Sequence, residues 1–219
     1  MTERNPLVEE LPVLHRLALA YAPASARVPT LALLALDVRL AAILRAAREP
    51  MLAQLRLAWW REQLRTDVAS WPGGEPLLAV LRSWADRREA LVALVDGWEA
   101  MTAPAPLPPA ALQHLADARA GAFGALAGLA GVPRSADAAA RMGGEWALAD
   151  LSVRLSHPEE QSAARALADA SDWRRAPLPR AMRPLAVLHG LARRSFRKGD
   201  AGSSLGAMIA AVRLGLLGR

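Results

Sequence analysis

Carboxylates and imidazoles are the groups in this chain that could grip a metal ion or move a proton, so their spacing is the first question. A helix offers two carboxylates to one ion when they stand three or four residues apart, because those positions share a face. No acidic pair stands four apart anywhere in the sequence. Pairs three apart occur at Asp86 with Glu89, Asp96 with Glu99, and Asp169 with Asp172. Each reads as a solvated helix face. The four histidines, His15, His114, His157 and His189, never pair at three or four residues, so the pattern predicts no helical metal site. There is no cysteine, which removes disulfides, thiolate metal sites and thiol nucleophiles.

The arginines are the next candidates. Residues 173–219 carry ten Arg or Lys against one acid, a net +9, while residues 1–172 carry 17 against 20, a net −3. Arg193, Arg194, Arg197 and Lys198 are the densest group. Arginine forks suit phosphate oxygens, and a basic run beside an apolar helix face suits an anionic membrane surface. A solvated basic helix face is the alternative. No phosphate-cradling glycine loop accompanies them. Gly121, Gly124, Gly128 and Gly131 recur within an Ala-rich helical stretch, a spacing that suits close helix packing. No aromatic residues interleave with the basic ones in a nucleic-acid pattern. Trp59 and Trp60 are flanked by Arg56 and Arg61. Neighbours on a helix point about 100° apart, so one tryptophan faces inward and the other faces a groove, a cavity rim or a partner.

The elements that must position these residues are helices. Alanine occurs 49 times, Ile only twice, Tyr once and Phe twice. Strands favour β-branched and aromatic residues and helices favour Ala, Leu and Arg, so the composition predicts an all-α fold. A chain of 219 residues, 53% hydrophobic, is long enough for one domain with a real core. Proline and glycine clusters, as at Glu49-Pro50, Trp71 to Gly74, Pro104 to Pro109, Gly131 to Ser135, His157-Pro158 and Pro177 to Pro179, cut it into helix-length pieces. The pattern predicts helices over Arg27–Arg48, Pro50 to about Ser70, Glu75–Arg87, Arg88–Met101, Pro109–Ala130, Ala136–Ser156, Pro158–Ala170, Arg180–Arg197 and Leu205–Leu217. Pro29 suits a first turn, and Ser135 and Ser156 suit helix boundaries. In the second helix, Leu52, Leu55 and Trp59 share one face. No uncharged apolar run is long enough to span a bilayer, and Glu3, Glu9 and Glu10 argue against a targeting leader. A cytoplasmic location is expected.

The stretch Leu31 to Leu64, LALLALDVRLAAILRAAREPMLAQLRLAWWREQL, resembles the squalene/phytoene synthase family. It is most similar to the divergent branch that includes a mitochondrial complex I assembly factor related to these synthases. The marks are a leucine-rich helix, Arg48-Glu49-Pro50-Met51, Arg56-Leu57 and Trp59-Trp60-Arg61. Gly143 to Leu155 and Leu178 to Ser195 extend the likeness over most of the chain. The resemblance implies an isoprenoid-synthase-type helical bundle forming a single domain over residues 1–219. In the enzymes, aspartates on two facing helices hold magnesium, which makes diphosphate a leaving group. Here the first set of positions falls at Ala41, Ala42 and Arg45. In the second, Arg154 matches the family's arginine, but Leu151 and Leu155 replace its asparagine and aspartate.

The resemblance therefore implies a family member without catalytic or metal residues, acting as a membrane-peripheral binding or assembly factor at the inner face of a membrane. Its partners would be the membrane surface or subunits of a membrane complex, and nucleic acid is not expected. Arg154, Arg193, Arg194 and Arg197 are the candidate phosphate ligands. Arg56, Trp59, Trp60 and Arg61 are the candidate cavity lining or partner face. No cofactor is expected. Two alternatives remain: a head-to-head prenyl transferase, which would need magnesium, and a carrier holding an isoprenoid in an apolar cavity.

Overall fold

The computed structural model describes residues 5–47, 49–174 and 176–198, and the backbone alone of Arg197 and Lys198. The described residues form an all-α bundle without strands. Two short helices open it, α1 (Pro6–Glu9) and α2 (Val13–Ala20), where the sequence reading placed none. The long α3 (Ala24–Ala46) follows. It begins before the expected Arg27, so Pro29 lies inside it rather than in its first turn. There its missing N–H removes the bond to the Ser25 carbonyl, and separately the Pro29 carbonyl accepts from Trp84 Nε1 at 2.9 Å.

Helix α4 (Pro50–Arg65) starts on the expected proline. It ends five residues early because Thr66 turns extended and Asp67 caps a separate 3-10 turn, Val68–Ser70. Likewise α5 (Pro76–Leu81) passes into a 3-10 stretch at Arg82–Arg87 before α6 (Arg88–Ala100). Then come α7 (Pro109–Leu129), α8 (Ala136–Arg154), α9 (Pro158–Asp169) and α10 (Arg183–Lys198). Ser135 precedes α8 without a side-chain capping bond, and α9 is entered through His157 rather than Ser156. The expected helix Leu205–Leu217 lies outside the described residues.

One apolar core joins the bundle, from Leu7 through Leu191. Trp84 is its largest fully buried side chain. The proline-rich stretch between α6 and α7 is a fastened loop: buried Glu160 of α9 accepts from the Leu107 backbone N–H at 2.8 Å. Helices α7 and α8 pack along much of their length, and α6 packs on the other side of α7.

Among the four recurring glycines, only Gly124 makes a close helix contact; a Cβ there would sit 3.3 Å from Ala140 Cβ. Gly131, at φ 75°, ends α7. Its N–H bonds Gly128 O, and the next N–H, of Val132, bonds Ala127 O, the Schellman arrangement. The closest approach to backbone involves Gly97 of α6, whose added Cβ would lie 2.8 Å from Ala118 Cβ and 3.1 Å from Leu115 Cα; at Gly143 of α8 it would lie 2.7 Å from the Phe123 ring. Backbone cannot yield as a side chain can. Gly97→Ala is therefore expected to destabilise the fold by about 1–3 kcal/mol despite its better helix propensity. Gly121→Ala, with open space around it, is expected to stabilise by about 0.5–1 kcal/mol. Urea denaturation of the two variants measures both signs.

Candidate functional site

A chain of charge crosses the centre of the bundle. It begins at Asp37, which the apolar run of α3 carries into the core: Leu33, Leu34 and Leu40 lie three or four residues away and are buried with it. Arg119 reaches it from α7, between Leu115, Ala116 and Phe123 on the same buried stripe. The guanidinium meets Asp37 side-on, Nε to Oδ1 at 3.0 Å and Nη2 to Oδ2 at 2.9 Å. Its third nitrogen, Nη1, reaches Asp150 Oδ2 of α8 at 3.4 Å. The other Asp150 oxygen accepts from Arg154 at 2.5 Å, where α8 ends at the surface.

Two tryptophans close the site. The Arg119 guanidinium lies 5.1 Å from the ring of Trp98 (α6) and 5.0 Å from that of Trp146 (α8), within range of cation–π attraction to both. Trp98 Nε1 also donates to Asp37 Oδ1 at 2.8 Å. Burial alone would lower the Arg119 pKa, but Asp37 and Asp150 outweigh it and the net direction is upward. The cation is therefore held charged at every accessible pH. Beside it, a void of about 10 Å³ bounded by Leu33, Leu34, Leu94, Phe123 and Trp146 is room for one water at most.

This donor set does not suit magnesium. All four oxygens of Asp37 and Asp150 are engaged by N–H donors, and a divalent cation among them would face a buried guanidinium. Magnesium needs hard oxygens in near-octahedral array and keeps several waters, for which this void has no space. The positions that the resemblance set against the family's acidic and asparagine residues take no part: Arg45 is exposed, Ala41, Ala42 and Leu155 are half-buried, and Leu151 packs in the core.

His15 of α2 sits at the edge of the cluster, its ring edge-on to Trp146 with centroids 5.8 Å apart. Its Nδ1 is buried without a hydrogen-bond partner. Burial holds its pKa below the ordinary value, outweighing the opposing pull of Asp150 and Asp37. A histidine that is harder to protonate when folded lets the unfolded chain bind more protons, so stability falls as pH drops below about 6.5. His15→Gln is expected to flatten that part of the curve. The comparison is of thermal unfolding midpoints for the two proteins between neutrality and mild acid.

A second buried polar group joins α8 to α10. Glu145 accepts from Arg141 Nη1 at 2.7 Å and from the Trp173 backbone N–H at 3.0 Å. Its other oxygen lies 2.6 Å from His189 Nε2. Trp173, in a left-handed conformation at φ 51°, stacks between His189 and Phe196 at 5.3 Å from each.

The residues singled out in the sequence are spread over three regions. Arg154 ends the central chain of charge. Arg193 and Arg194 are half-buried on α10; the side chains of Arg197 and Lys198 lie outside the described residues. On α4, Trp60 packs into the core beside Ala53, Leu57 and Leu64, whereas Trp59 is exposed. Arg61 is bound by Asp96 at 2.6 Å and by Glu99, so that acidic pair serves an ion pair. Arg56 is exposed. The sequence reading passed over Asp37, Arg119, Asp150 and Glu145. Their signal was a charge on an otherwise apolar helical stripe, most legible at Asp37 and Arg119.

No protein-family model, curated protein or solved structure matches the chain.

Proposed function

We propose that the chain is a non-catalytic protein of squalene/phytoene synthase type that works by binding, as a membrane-peripheral assembly factor. The observation that carries this reading is the Asp37–Arg119–Asp150 chain. Where α3 and α8 bring carboxylates toward the bundle centre, a guanidinium clamped between two tryptophans neutralises them. Diphosphate departure needs strong charge stabilisation at the leaving oxygens. Arg119, the cation at the centre of the described residues, already has its nitrogens on carboxylates. The isoprenoid-synthase type of bundle is part of the same proposal. So is a location at the inner face of a membrane; among the described residues, no helix is long and apolar enough to cross one.

The test has two arms. The full-length protein, incubated with farnesyl or geranylgeranyl diphosphate and magnesium at high protein concentration, is expected to yield no prenyl product. Capture on tagged protein from solubilised membranes is expected to enrich subunits of one membrane complex, and deletion of the gene is expected to leave isoprenoid profiles unchanged. Diphosphate-dependent product formation overturns the proposal.

A further inference from the structure

Helix α4 is apolar on both sides. Its inner face is Ala53, Leu57, Trp60 and Leu64. On the outer face, Met51 is 67% exposed, Leu55 62%, Leu52 45% and Trp59 42%. These four fall within about 100° of one another around the helix at about 100° per residue, so they form one continuous stripe over the first two to three turns. Contiguous apolar surface of this kind marks an interaction site rather than scattered exposure.

Charge indicates what covers it. Residues 45–65 hold five arginines and two glutamates, a net +3, within the part of the chain (1–172) whose remainder carries 12 basic and 18 acidic groups. Arg56 flanks the stripe on one side and Arg61 and Arg65 on the other, and the exposed Glu62 stands in line with it one turn beyond Trp59. Arg61 is neutralised by Asp96 and Glu99. Arg45, Arg56 and Arg65 are exposed and have no acidic partner among the described residues. Apolar side chains flanked by long cationic ones match a headgroup boundary, where the stems stay in the apolar zone and the charges meet anionic headgroups.

We infer that the outer face of α4, Met51, Leu52, Leu55 and Trp59 with Arg56 and Arg65 beside them, is the surface on which this protein rests on an anionic membrane. This rests on the peripheral reading above and moves its lipid contact from the basic residues of α10 to α4.

The chain contains its own probe. Of its seven tryptophans, Trp59 alone is exposed; the other six are buried. Vesicles of equal parts phosphatidylcholine and phosphatidylglycerol, with brominated acyl chains, are expected to quench Trp59 emission. Vesicles of phosphatidylcholine alone should not, and Trp59→Phe should remove the quenching. Leu55→Glu, on an exposed position that the fold does not need, is expected to weaken vesicle partitioning about tenfold. Binding with Trp59 unquenched, and lost instead in Arg193→Ala with Arg194→Ala, overturns the α4 surface and leaves the peripheral reading standing. Absence of vesicle binding overturns both membrane claims, while the prenyl-product assay still judges the non-catalytic one. If Leu55→Glu changes only self-association or capture of a protein, the face belongs to that partner and the inference fails.

Discussion

Arg119→Ala is expected to destabilise the fold by about 3–5 kcal/mol, the cost of removing one member of a buried ion pair. Two effects combine. Asp37 is left in the core with one N–H donor, Trp98 Nε1, where it had three. The space between Trp98 and Trp146 also empties, and those rings lose a cation about 5 Å from each. Asp150 suffers less, because Arg154 still pairs with it. Arg119→Lys is expected to recover only part of the loss, since an ammonium cannot make the two parallel bonds of a guanidinium. Arg119→Met with Asp37→Leu is expected to recover part of it, because the apolar pair removes the unpaired Asp37 charge while Trp98 Nε1 loses its acceptor. Urea unfolding of the three variants decides. If Arg119→Ala unfolds like the parent, the cluster is not buried as described, and the proposal of a blocked centre loses its support.

Glu145→Ala is expected to cost about 2–4 kcal/mol, since hydrogen bonds to a charged group and the donors they leave behind are the expensive ones. The change strands the His189 ring and the Trp173 N–H in the core, and frees the backbone turn held at a positive φ. Glu145→Gln, which keeps the shape but not the charge, is expected to fall between. The pH dependence follows from the direction of the Glu145 pKa. Burial alone would raise it, but the hydrogen bonds from His189 and Arg141 prevail and hold it below the usual carboxylate value. A carboxylate with a depressed folded pKa contributes stability that is complete above its unfolded pKa of about 4.3 and is lost as pH falls through the folded value. Wild-type protein should therefore lose stability steeply below about pH 4, and Glu145→Gln should lose less over the same range. This window lies below that of His15, so the two histidine and glutamate variants separate the contributions.

Several elements are legible in the sequence. The starts of α4, α6, α7, α8 and α9 fall where proline, serine or arginine at a boundary had placed them, because a first-turn proline or an apolar stripe acts within one or two turns. The errors lie where a neighbour decided. Pro50 to Ser70 reads as one helix by periodicity, but Asp67 caps a new turn at Ala69 N–H, and Trp71 folds back to donate to Gln63 O at 2.7 Å. In α4 the periodic stripe Leu52, Leu55 and Trp59 is real, yet it faces outward. The helix has a second apolar stripe, and periodicity cannot say which of two the core takes.

The site separated along the same line. Absent i, i+4 acidic pairs and absent cysteine are properties of the string, and they ruled out helical carboxylate pairs of that spacing and thiolate sites without a fold. The sequence by itself determined a helical chain with a core and a charge imbalance between its parts, because propensity, periodicity and residue type act locally. Only the tertiary structure decided that Asp37, Arg119 and Asp150, up to 113 residues apart in the chain, meet as one buried network, and that Trp59 faces water while Trp60 does not. Burial and ion pairing depend on which surfaces face each other, and that follows from the packing of α3, α6, α7 and α8 together rather than from any one of them.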